Sequence, residues 1–147
     1  MRTVVKVKKL REGAVIPAYG TDFSAGGDLY SAEESDTVIK PGETVLVHTG
    51  IAVEIPEGMV GIVAARSSVA TKRGLAPANK IGVIDSDYRG EIMTAVYNQS
   101  DKVQVIEKGE RFAQLIIMPY IPCVFTESDE LSETGRASGG FGSTGTK

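Results

Sequence analysis

Little in this chain can carry covalent or redox chemistry. A single cysteine, Cys123, cannot form an internal disulfide, and it sits beside Pro122 in an apolar stretch with no histidine nearby in sequence. It is expected to be a buried structural thiol. The one histidine, His48, falls in a strand-like run with Val45 and Val47, which excludes a Ser-His-Asp triad and a His-rich metal site. Basic residues are not in excess: 16 Lys and Arg against 19 Asp and Glu give a net charge of −3 and a pI near 5.2. That balance excludes a duplex-binding surface built on bulk positive charge, so any phosphate site must be local. No run approaches membrane-spanning length, and the stretch MRTVVKVKKL lacks an apolar signal core. The expectation is a cytoplasmic protein with neither a nucleic-acid nor a membrane partner.

What the chain does contain is punctuation. Seventeen glycines and six prolines interrupt short Val/Ile-rich runs, the pattern of an all-β sandwich or barrel rather than of βαβ units. At 147 residues one domain with one core is expected. Candidate strands are Val4 to Lys8, Thr37 to Ile39, Thr44 to His48, Ile51 to Ile55, Met59 to Ala64, Ile81 to Ile84, Ile92 to Asn98, Val103 to Val105 and Phe112 to Met118. Alternation is clearest in Ile51, Val53, Ile55 and in Ile92, Thr94, Val96. One segment departs from it: SSVATKRG, Ser67 to Gly74, has a hydroxyl for an N-cap, basic residues in its last turn and a closing glycine, which predicts a short helix. Arg66, Ser67 and Ser68 then lie where a strand passes into a helix N-terminus, an end with free N–H groups that suits an anion.

Three further segments carry polar chemistry. Asn79 to Tyr97 reads as two strands joined by an acidic turn, a β-hairpin with Asp85, Asp87, Tyr88 and Arg89 near its tip. Gln114 stands among Phe112, Leu115 and Ile116; if its side chain is buried it needs a partner, and a bound polar ligand could supply one. Thr134 to Lys147 contains ten Gly, Ser and Thr residues around Arg136 and Phe141. Such a tail buries too little apolar surface to fold alone. It suits a lid over a nucleotide, with the Arg136 fork for phosphate and the Phe141 face for a base; a solvated tail is the alternative.

Five segments in order, AGGDLYSA, ARSSVA, GVIDSDYRGEI, GERFAQLI and GRASGGFGSTG, resemble the five motifs of the trimeric deoxyuridine triphosphate nucleotidohydrolases, the dUTPases. The resemblance spans roughly residues 13 to 145. It implies an all-β, jelly-roll-like β-barrel with one short helix over residues 1–132, and a flexible C-terminal arm over 133–147 that closes on the active site. It implies a homotrimer with shared active sites, and hydrolysis of dUTP to dUMP and pyrophosphate. Asp85 would activate a water for attack on the α-phosphorus. Arg66, Ser67, Ser68 and Gln114 would contact phosphates, and Arg136, Ser143, Thr144 and the Gly142 backbone would grip them from the arm, with Phe141 stacked on uracil. Asn79, Gly82, Val83, Ile84 and Met93 would line the deoxynucleoside pocket, with Tyr88 under the sugar where no 2′-hydroxyl fits. Mg2+ is implied on the triphosphate, with Asp28 serving its water shell or the neighbouring structure. Gly27, Ala65, Ser68 and Val69 depart from the residues frequent in those motifs. Two other readings share some of these features: a deoxycytidine triphosphate deaminase of related fold, and a nucleotide-sensing regulator.

Overall fold

The structure of the chain, a computed structural model, describes residues 3–140. Twelve strands and one helix follow in chain order: β1 (Lys6–Lys9), β2 (Ala18–Tyr19), β3 (Gly26–Tyr30), β4 (Thr37–Ile39), β5 (Thr44–His48), β6 (Ile51–Glu54), β7 (Met59–Ala65), α1 (Ser67–Arg73), β8 (Leu75–Pro77), β9 (Gly82–Ile84), β10 (Met93–Asn98), β11 (Gln104–Ile106) and β12 (Arg111–Pro119). Among the described residues the ladders form a five-stranded sheet, β2-β3-β12-β7-β9, a three-stranded sheet, β5-β10-β8, and two pairs, β1-β6 and β4-β11, all antiparallel. This is the expected all-β architecture with one short helix, and the ladders do not close into a continuous barrel.

One core joins these sheets. Leu29, Ile39, Val47, Ile51, Val63, Leu75, Ile92, Ile106 and Phe112 come from β3 to β8, from β11 and β12 and from the loop leading into β10, and are buried together. The alternation expected around β10 is observed: Ile92, Thr94 and Val96 are buried while Met93 faces out. The driving force is the apolar area these residues withdraw from water, about 25 cal/mol per Å2. No helix among the described residues is long and apolar enough to cross a membrane.

Several expectations are corrected. The Asn79–Tyr97 segment is not a hairpin, because β9 pairs with β7 (Ile62↔Val83) whereas β10 pairs with β5 and β8. Residues 85–92 lie between the two strands, too many for the tight turn that matches hairpin twist, so the acidic loop bridges two sheets. The helix cap is Arg66, in extended conformation and without a side-chain cap hydrogen bond; no hydroxyl serves there. Its other end is as expected: Gly74 adopts φ +66, and its N–H bonds back to Ala70 and Val69 carbonyls. Strand β3 is hard to recognise because it opens with two glycines, and β8 ends in Pro77, which is tolerated because β8 is an edge strand. Cys123 is exposed rather than buried. The chain leaves β12 at Pro119, and Ile121, Val124 and Phe125 are exposed, with no ladder partner among the described residues.

Candidate active site

Between the five-stranded and three-stranded sheets lies a pocket of about 310 Å3. Asn79, Gly82, Val83, Ile84, Asp85, Tyr88 and Met93 line it, together with Leu46, Val63, Glu91 and Thr94. Strand β9 ends at Ile84, so Asp85 is the first residue released from the sheet, and it is exposed at the pocket rim. Among the described residues no hydrogen bond to its carboxylate is found, whereas its carbonyl accepts the Tyr88 N–H at 3.2 Å and folds the loop into a turn. Arg89 stitches the same turn, its Nη1 donating to the Ser86 and Tyr88 carbonyls. The Tyr88 hydroxyl donates to the Glu91 carbonyl at 3.0 Å.

Glu91 anchors the far side of that loop. Its carboxylate accepts from the Gly50 N–H at 2.7 Å, Arg11 Nη2 at 2.9 Å and His48 Nδ1 at 3.0 Å, which assigns the hydrogen of the imidazole to Nδ1. Burial by itself would raise the pKa of this carboxyl. The hydrogen bonds from His48 and the Gly50 amide, with the charge of Arg11, outweigh burial and hold it below the ordinary glutamate value. Glu91 and Arg11 were not singled out in the sequence; the only local signal is the position of Glu91 at the end of YRGE.

A second concavity, about 500 Å3, collects Arg66, Ser67, Ser68, Arg111, Gln114 and Asp28 beside Gly20, Ser24 and Gly26. Asp28 is buried, and both its oxygens are engaged: Oδ1 by Arg66 Nε at 2.8 Å and Oδ2 by Arg111 Nη1 at 3.1 Å. One carboxylate against two guanidiniums leaves this local cluster positive, which is how a chain of net negative charge can present an anion site. Arg66 Nη1 also donates to the Arg111 carbonyl at 3.3 Å, so the fork is aimed by the sheet edge. In α1 the first backbone bond runs from the Ala70 N–H to the Arg66 carbonyl, which leaves the amides of Ser67 and Ser68 without a helical partner. Gln114 is half-buried and its amide donates to the Ala65 carbonyl at 2.9 Å, so the protein already supplies one of the partners it requires. Its side chain leans over Gly26, where an added Cβ would stand 3.1 Å from Gln114 Cδ, so a larger residue there would displace the Gln114 amide. Arg111 is a member of the site that sequence reasoning passed over, although it lies inside GERFAQLI.

The two concavities share no lining residue. They lie on opposite sides of β7, one beside β9 and the other beside β12 and β3. Within this chain the sequence-predicted residues among those described are therefore brought together in two sets, not one. Of the arm, Arg136 is exposed, with Nε donating to the Gly139 carbonyl at 2.8 Å. Phe141, Gly142, Ser143 and Thr144 lie outside the described residues.

A protein-family model for dUTPases matches residues 12–145 of the chain. The chain belongs to the dUTPase family. The deoxyuridine 5′-triphosphate nucleotidohydrolase of Hydrogenobaculum is 50% identical over 141 residues, covering 96% of this chain and 97% of that protein. That of Desulfitobacterium hafniense is 46% identical over 144 residues, covering 96% and 95%. Among solved structures, a variant dUTPase of Staphylococcus bacteriophage 80alpha bound to dUpNHpp superposes with a TM-score of 0.86 at 30% identity, covering 98% of this chain and 99% of that one. A variant dUTPase of phage phi11, described as coordinating a structural Mg(II) ion, has a TM-score of 0.77 at 28% identity over 87% of this chain and 98% of that one.

For this dUTPase-family chain the donor set limits how a divalent cation could be held. Among the described residues no three His, Cys, Asp or Glu side chains converge, and both oxygens of Asp28 face arginines. Mg2+ keeps several waters and usually binds through one or two carboxylates plus substrate phosphates. The residues present fit an ion that arrives on phosphate oxygens, not one caged by the protein. The departures from the family motifs leave the polar groups in place: Val69 packs in the core, Ser68 is exposed beside the anion patch, and the Ala65 carbonyl holds Gln114.

Proposed function

We propose that this chain hydrolyses dUTP to dUMP and pyrophosphate, limiting uracil entry into DNA and supplying dUMP for thymidylate synthesis. The observation that carries this reading is the pocket between the sheets: it is of nucleoside size, and a free carboxylate, Asp85, stands at its mouth. Asp85 accepts a proton from a water and directs its oxygen at the α-phosphorus; the P–O bond to the β-phosphate breaks, and the electron pair leaves on pyrophosphate. Val83, Ile84 and Met93 enclose the base, Asn79 and the backbone at Gly82 offer polar contacts, and Tyr88 stands against the sugar. Arg66, Arg111, Gln114 and the amides of Ser67 and Ser68 receive the phosphates. A Mg2+ ion arriving with the triphosphate would offset part of its negative charge beside Arg66 and Arg111.

The separation of the two sets by β7 supports an assembly in which the nucleoside pocket of one subunit meets the anion patch of another, in a homotrimer. Residues 133–147 then act as an arm, with Arg136 and the segment Phe141, Gly142, Ser143, Thr144 closing on the nucleotide. The same reading places the protein in the cytoplasm. Magnesium-dependent pyrophosphate release measured across the deoxynucleoside triphosphates tests it. Release from dUTP alone is expected; release of ammonia from dCTP, or no turnover of dUTP, refutes it.

A further inference from the structure

Gly90 lies in the loop between β9 and β10, beside the pocket, and its φ is not positive, so the backbone there does not require glycine. Space does. A methyl group built on Gly90 would stand 2.5 Å from Cζ and 2.9 Å from Cε2 of Tyr88, and nearer still to the phenolic oxygen. The Tyr88 ring is thus folded back on the Gly90 backbone, and its hydroxyl is tied to the Glu91 carbonyl at 3.0 Å. That carbonyl is itself held, because the Glu91 carboxylate is clamped by Gly50, Arg11 and His48. Tyr88 is 40% exposed, so part of its surface is open to solvent.

We infer that Gly90 is a specificity-determining residue: it is the seat that holds the Tyr88 ring at the one position from which it excludes a 2′-hydroxyl. The inference rests on the proposed dUTP reading. A ring hinged at Cβ and free on its solvent face will move rather than strain the sheets when a methyl group occupies its seat, since the crowded atoms are the far end of a side chain. The fold should survive Gly90→Ala while the sugar test does not. Gly90 acts through Tyr88 and touches no reacting atom, so it is a positioning residue.

The test is a double-mutant cycle read on the ratio of kcat/KM for dUTP to that for UTP, with Mg2+ present and thermal unfolding followed in parallel. Gly90→Ala is expected to leave Tm within a few degrees and to lower kcat/KM for dUTP by about 10²-fold, the usual effect of misplacing a contacting group by about 1 Å, with no equal loss for UTP. In a Tyr88→Ala background the same Gly90→Ala change should alter the ratio no further. Equal losses for both nucleotides, an unchanged ratio, or additive effects of the two substitutions would overturn the inference. If the unmodified protein fails to hydrolyse dUTP at all, the underlying functional reading fails instead. A selective parent enzyme with an indifferent Gly90→Ala variant fails only the role given to Gly90.

Discussion

Replacing Asp28 by asparagine is the substitution that best separates a structural carboxylate from a metal-serving one. The side chain keeps its shape and one acceptor oxygen but loses its charge and one accepted hydrogen bond. Asp28 is 11% exposed at its side chain, against 27% for Arg66 and 50% for Arg111. The Arg111 pair, half in water, contributes on the order of 0.2–1 kcal/mol. The Arg66 pair is better shielded and is a charge-assisted hydrogen bond worth about 1.5–3 kcal/mol. Because Asn retains an acceptor for one of the two arginines, the net loss should be about 1.5–2.5 kcal/mol, which in a chain of this size lowers Tm by roughly 4–8 °C. Loss of the Oδ1 anchor also frees the Arg66 fork to drift from the anion patch, so KM for dUTP should rise about tenfold, equivalent to about 1.4 kcal/mol of lost contact. The assay is differential scanning calorimetry together with steady-state kinetics over a Mg2+ titration. The expected pattern is a lower Tm and a higher KM with the Mg2+ half-saturation point unmoved. An unchanged Tm with a marked rise in the Mg2+ requirement would refute this argument and assign Asp28 to the metal.

The remaining expectations are shorter. Asp85→Asn should keep the fold and most affinity for dUpNHpp, measured by calorimetric titration, while lowering kcat by about 10²–10⁴; near-native turnover would remove Asp85 from the general-base role. Deleting residues 134–147 should leave the circular dichroism and Tm of the remaining chain unchanged, since residues 134–138 are exposed, while abolishing efficient turnover of dUTP. Full activity of the truncated chain would exclude the lid. Glu91→Gln should destabilise the protein by about 1.5–3 kcal/mol near neutral pH through loss of its charge-assisted bonds. Because the folded-state pKa of Glu91 is depressed, the stability it contributes is fully present above the pKa of the unfolded chain and is lost as pH falls through the folded value. Urea unfolding of the two proteins should therefore converge in acid; a gap that persists well below the glutamate range would mean that the charge is not what matters.

The grouping of residues into two concavities was largely legible in the sequence. The residues Asn79, Gly82, Val83, Ile84, Asp85, Tyr88 and Met93 line one pocket, and Arg66, Ser67, Ser68 and Gln114 another, as grouped by their motifs. Legibility failed where the decisive partner is distant in the chain. Arg11 and His48 meet Glu91 across 80 and 43 residues, and Arg111 meets Asp28 across 83, so no local pattern marks them. Cys123 is exposed despite its apolar sequence neighbours, because residues 120–131 form no strand and pack under no sheet of this chain.

By itself the sequence determined the all-β class, the short helix with its Gly74 terminus and the identity of the chemical groups, because these follow from periodicity, turn residues and motif order, all local properties. Only the tertiary structure decided that β9 and β10 join different sheets, that Asp28 answers two arginines, and that the nucleoside pocket and the anion patch stand on opposite sides of β7. Strand neighbours are chosen by the burial of whole faces, and an ion pair is completed wherever the packed sheets bring opposite charges within reach. Those are properties of the assembled core, and no window along the chain contains them.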